Sequence, residues 1–125
     1  MDAYYEGLAL MLAKEPLELY RGLGFAWLND LIAGKVSLDC DALKACPPNA
    51  WLSLDKAPAG LYPTEVEMFH RFIKVTGPTT ISGLRTFAVS VTVVPKQLSR
   101  VEAWFSRNQV VLNGIIIERF PQATP

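Results

Sequence analysis

Thr86-Phe87-Ala88-Val89-Ser90-Val91-Thr92-Val93 alternates without a fault, with Phe87, Val89, Val91 and Val93 on one side and Thr86, Ala88, Ser90 and Thr92 on the other. A period of two over this length predicts a half-buried strand, apolar face inward and small polar face outward. Pro95 ends it. From Lys96 to Arg107 the spacing turns helical, and Leu98, Val101, Trp104 and Phe105 fall on one stripe. Val110-Val111-Leu112, Asn113-Gly114 and Ile115-Ile116-Ile117 follow. The stretch from Arg85 to Phe120 therefore predicts a strand–helix–strand unit on which the rest of the chain packs. Asn-Gly is the strongest two-residue hairpin signal in the chain, so Asn113-Gly114 is expected to turn between two short antiparallel strands. One long strand with a bulge is the alternative.

Upstream, Asp2 to Lys14 predicts a helix with Tyr4, Tyr5, Leu8, Met11 and Leu12 on its buried face, interrupted at Glu15-Pro16. Pro16 can open a second helix, expected from about Leu17 to Ala33 with Leu19, Tyr20, Leu23, Trp27, Leu31 and Ile32 inward. Gly22 and Gly24 weaken that helix and mark either close helix packing or a split. Gly34 suits its end. Asp39 is placed to cap a short helix running to Cys46, which Pro47-Pro48 stops. Residues 47–63, with four prolines, read as a connector pinned to the core by Trp51. Thr64-Glu65-Val66-Glu67 has the capping-box pattern, and Val66, Phe69, His70 and Ile73 then fit one helical face. Gly77-Pro78 would close that helix. A short strand at Thr79–Ile81 and a turn at Ser82-Gly83 lead into the alternating strand.

The fold class is therefore α+β in a single domain. A helical hairpin occupies 1–46, a Pro-rich connector 47–63, a capped helix and a small antiparallel or mixed sheet of three to five strands 64–120, and a tail 121–125.

Half of the 125 residues are apolar and 19% charged, against about 45–50% and about 25% in ordinary domains. A small domain has much surface to cover, so apolar surface should remain outside the core, the mark of a partner or oligomer contact. Net charge is zero. Residues 1–60 hold five Lys/Arg against eight Asp/Glu, and residues 61–125 hold seven against four. That imbalance is too mild for an electrostatic footprint on nucleic acid. Cys40 and Cys46 make no disulfide framework. The acidic start and the short apolar run Leu8–Ala13 do not read as a secretory signal, and no window is apolar for 18 residues. A reducing, cytoplasmic compartment is the expectation.

No chemical motif stands out. His70 is the single histidine and the one low-ranking candidate for acid–base catalysis. A Cys–His pair would need Cys40 or Cys46 beside it, with Asp39 or Asp41 orienting. Asp39, Cys40, Asp41, Cys46 and His70 lack the spacing of a zinc knuckle or an EF-hand loop, so no metal and no cofactor are expected. Gly22-Leu23-Gly24 is no phosphate cradle, and Ser53, Ser82 and Ser99 sit in no Gly-x-Ser-x-Gly elbow.

The reading favoured by composition is a non-enzymatic protein-interaction module that binds a protein partner or itself as a homodimer, through the sheet or the N-terminal helical pair, with Trp27, Trp51 and Trp104 as anchors. The small Thr/Ala/Ser face would let a helix or a second sheet approach closely. The alternative is a nucleic-acid-binding module using Arg71, Lys74, Arg85, Arg100 and Arg107. A small enzyme built on His70 ranks third. No membrane partner is expected.

Overall fold

In the computed structural model, which describes residues 2–95 and 109–119, the alternating stretch is the centre of the sheet. It forms β3, Leu84–Pro95, with Phe87, Val89, Val91 and Val93 buried. Two long neighbours flank it antiparallel, β2 (Phe69–Ile81) and β4 (Val110–Ile117), and β1 (Trp51–Ser53) adds an edge, giving the order β1-β2-β3-β4. The fold is α+β: a long N-terminal helix lies across one face of this antiparallel sheet. Among the described residues no helix is long and apolar enough to cross a membrane.

That helix is α1, Asp2–Leu23, and it continues unbroken through Pro16. Its buried positions are Ala9, Leu12, Ala13, Pro16, Leu17 and Tyr20, a stripe at helical spacing. Ala9 and Ala13 are short enough to bring the helix close to the sheet, and full burial of a residue such as Leu12 is worth about 1.5–3 kcal/mol. The expected face was rotated from this one, because a break at Pro16 would have let two helices choose their faces independently. Tyr4, Met11, Leu23 and Ile32 are exposed instead.

The split falls at Gly24, whose φ of 92° is a conformation L side chains rarely adopt. Helix α2, Phe25–Ile32, starts after it. A Cβ at Gly22 would meet nothing within 4 Å, so no close helix packing depends on that glycine. Helix α3 is one turn, Asp41–Lys44, and Cys40 rather than Asp39 stands at its cap.

Two expectations in the C-terminal half are overturned. Thr64–Met68 is a 3-10 helix with no side-chain cap, and the chain then enters β2 instead of continuing as a helix. Phe69, Arg71 and Ile73 point inward, and His70, Phe72 and Lys74 outward. The alternation was disguised by an inward arginine and an outward phenylalanine. Gly77-Pro78 lies at an irregularity within β2, where the register with β3 shifts between Thr76 and Thr79.

Asn113-Gly114 is no turn. β4 pairs with β3 in unbroken register from Thr86–Ile117 to Val93–Val110, so there is neither hairpin nor bulge. Gly114 sits instead where α1 crosses the strand: a Cβ there would lie 2.9 Å from Arg21 Nη2 and 3.0 Å from Leu17 Cδ2. The hairpin is instead at Ser82-Gly83, with φ of 53° and 83°, joining Ile81 to Leu84. The predicted helix at 96–107 lies outside the described residues.

Candidate functional site

Strand alternation sorts β2 into two sets of side chains with different work. Arg71, on the inner side, is 1% exposed. Its Nη1 donates to the Leu12 carbonyl at 3.0 Å and to Glu15 Oε1 at 2.8 Å. Its Nη2 donates to the Ala45 carbonyl at 2.5 Å, with the Cys46 sulfur at 3.4 Å and the Tyr62 hydroxyl at 3.3 Å. Tyr62 donates its hydroxyl proton to the same Glu15 oxygen, and Tyr20 donates to the Cys46 carbonyl at 2.5 Å.

Burial alone would discourage the charge on Arg71, but Cys46, Tyr62 and Glu15 outweigh it and hold the guanidinium pKa above its ordinary value. Burial pushes the Tyr62 and Tyr20 phenols up, with Arg71 pulling each partly back. Burial also pushes the Cys46 thiol up to about 11, again against Arg71. A thiol so protonated is a poor nucleophile. This cluster fastens α1, the bend after α3 and Tyr62 to β2. Arg71, expected as a nucleic-acid contact, is therefore a buried structural tie.

The outer side of the sheet is open among the described residues. The register aligns Trp51, Phe72, Thr92 and Val111 in one row across all four strands. Trp51 is 56% exposed, its ring 5.2 Å from Phe72 and edge-on to His70 at 6.2 Å. Further along, Ala88 aligns with Ile115 and Thr86 with Ile117. Trp51, Ile81, Leu84, Val111, Ile115 and Ile117 are six of the eleven large hydrophobic side chains exposed among the described residues. All six stand on this face by strand alternation. Lys74 is the single charged side chain among its outward strand positions.

The other expected site residues scatter. Trp27 is half-buried, packed on the core beside Tyr20. Arg85 is held by Glu118 at 3.2 Å and lies over the Phe25 ring. Trp104, Arg100 and Arg107 fall outside the described residues. His70 and Cys46 are separated by the sheet, His70 on the outer face and Cys46 in the inner cluster, so they form no catalytic pair. Cys40 is exposed on its loop. No group of three or more His, Cys, Asp or Glu able to hold a metal exists among the described residues.

Sequence reasoning missed Phe72 and His70 as neighbours of Trp51. The signal was the inward series Phe69, Arg71, Ile73, Val75, legible only if an arginine is allowed to face a core. No protein-family model matches the chain, and no curated protein or solved structure does either.

Proposed function

We propose that the chain is a non-enzymatic interaction module whose outer sheet face docks a second copy of itself. The observation that carries this reading is the row of Trp51, Phe72 and Val111, with a tryptophan more than half exposed at its end. Large aromatic rings set among uncharged neighbours are the usual energetic centre of a protein contact. Among the described residues Lys74 is the one charge at the outward strand positions, which gives a highly charged partner little to recognise. An equally neutral surface fits it, and this chain carries one. Its net charge of zero also leaves self-association without electrostatic opposition. The short Thr, Ser and Ala side chains of β3 let two sheets approach to about 10 Å, the usual sheet-on-sheet spacing.

Sedimentation equilibrium from micromolar to millimolar concentration tests this. A dimer is expected, and Trp51→Ser should weaken it by about thirtyfold, the effect of one hot-spot residue. A monomer throughout that range would remove the reading.

A second reading rests on the same rings. Trp51, Phe72 and His70 could stack the bases of a single strand. Its weakness is charge: Lys74 is on this face, Arg71 is inside and Arg85 is paired. Retention on single-stranded DNA or RNA at low salt, lost steeply as salt rises, would favour it over the dimer.

A further inference from the structure

The two edges of the sheet are finished differently. At one edge β1 has three residues, follows Pro47-Pro48 and runs directly into a 3-10 helix. Asn49 seals the next stretch of β2: its N–H donates to the Ile73 carbonyl at 2.6 Å, and its Oδ1 accepts from the Val75 N–H at 2.9 Å. Short strands and prolines are common ways to blunt an edge. At the other edge, β4 has eight residues, no proline, no charge and no register break, and no strand lies beyond it among the described residues.

A groove of about 810 Å3 runs beside the C-terminal half of β4. One wall is Ile115 to Arg119; the other is Arg21 and the α1–α2 turn from Leu23 to Ala26. Neighbouring strand residues point to opposite faces, so a groove touched by Ile115, Ile116 and Ile117 in succession includes the rim of the strand. No residue of β3 lines it, which puts it on the free side. Its charge is one-sided. Glu118 is engaged by Arg85 through two bonds at 3.2 and 3.3 Å. Arg21 and Arg119 have no ion-pair partner among the described residues.

The geometry points to this groove as the seat of an extended acidic peptide, added to β4 as a fifth strand with its carboxylates on Arg21 and Arg119. Main-chain bonding to an open edge supplies affinity, and the flanking side chains choose the ligand. Two arginines, each able to hold a carboxylate by a forked pair of bonds, choose an acidic one. This inference shares Ile115 and Ile117 with the outer face but not Trp51, Phe72 or Val111, so Trp51→Ser and Arg21→Glu separate the failure of one from that of the other.

The test uses the full chain and an array of labelled extended hexapeptides alternating Val with Asp, Glu, Ser or Lys, read by fluorescence anisotropy. Hydrogen exchange of the β4 amides is followed in parallel. Acidic members should bind and slow exchange at 115–117. Arg21→Glu and Arg119→Glu, each shown by circular dichroism to stay folded, should weaken binding by at least about tenfold. N-methylation of alternate peptide amides should abolish it. Equal binding of the lysine peptides, binding without protection of β4, or no binding by any member would overturn the inference. So would β4 protection that rises with protein concentration in the absence of peptide, since the edge would then belong to a second copy.

Discussion

Arg71 Nη1 donates, at 3.0 Å, to the carbonyl of Leu12, the acceptor four residues before Pro16. In an uninterrupted helix that carbonyl takes the N–H of residue 16, and proline has none. The guanidinium of a strand thus replaces a helix's missing donor. This contact allows α1 to continue through Pro16, where the sequence suggests a break.

Arg71→Met should be among the most damaging single changes. It strands the Leu12 and Ala45 carbonyls and leaves Glu15 without its cation, for an expected loss of about 3–5 kcal/mol in urea unfolding. Arg71→Lys should recover less than half of the loss, because one ammonium cannot serve both carbonyls and the carboxylate. A loss under about 1 kcal/mol for the methionine variant would show that the cluster is ornamental.

Pro16 and Arg71 should be coupled. Pro16→Ala returns an N–H to α1, and in the Arg71→Met background it should restore about 1 kcal/mol by occupying Leu12. With Arg71 present the same change has a carbonyl already partly served, so its benefit should be smaller. A double-mutant cycle measures the difference; simple additivity would contradict the proposed link.

The two strand glycines should not respond alike to alanine. Gly77 has a φ of 131°, and a Cβ would stand 2.8 Å from the Thr86 carbonyl oxygen, which is backbone. Gly77→Ala should therefore lose about 3 kcal/mol. At Gly114 the nearest atoms are the ends of Arg21 and Leu17, which can shift. Gly114→Ala should lose about 1 kcal/mol, and less in an Arg21→Ala background. Thermal melts give the ranking, and the reverse order would refute it.

The two thiols should differ in both rate and pH response. Cys40 is exposed and Cys46 buried, so iodoacetamide should label Cys40 quickly and Cys46 only as the protein unfolds. Cys46 holds its proton more tightly when folded, up to about 11 against an ordinary 9.0. Below about 9 its contribution to stability is complete. As pH rises through 9 the unfolded state loses the proton first, so stability falls until about 11. The urea midpoint should decline over that window, and Cys46→Ala should flatten the early part of the decline. The later part remains, because Tyr20 and Tyr62 titrate in the same direction.

How much of this was legible in the sequence follows from where each cause resides. β3 was readable because its inward residues from Phe87 to Val93 are all apolar. The Ser82-Gly83 turn was readable because turn geometry is local. β2 was not, since its inward arginine is tolerated only through carbonyls supplied by α1 and the bend after α3. Pro16 and Gly114 misled for the same reason. The donor that excuses the proline comes from a strand, and the helix that crowds the glycine crosses from the opposite end of the chain. The Trp51, His70 and Phe72 patch exists only across two paired strands, so no single window of sequence contains it.

The guanidinium of Arg71 grips three separate stretches, at Glu15 and Leu12, at Ala45 and Cys46, and at Tyr62. A protease nicking the exposed bend at Ala59-Gly60 would therefore leave two pieces still clasped to one another. Once separated, each piece would hold one half of a lock: carbonyls without a cation, or a cation without carbonyls. Recovery of structure then calls for mixing both pieces, because the contact that matters most is shared between them.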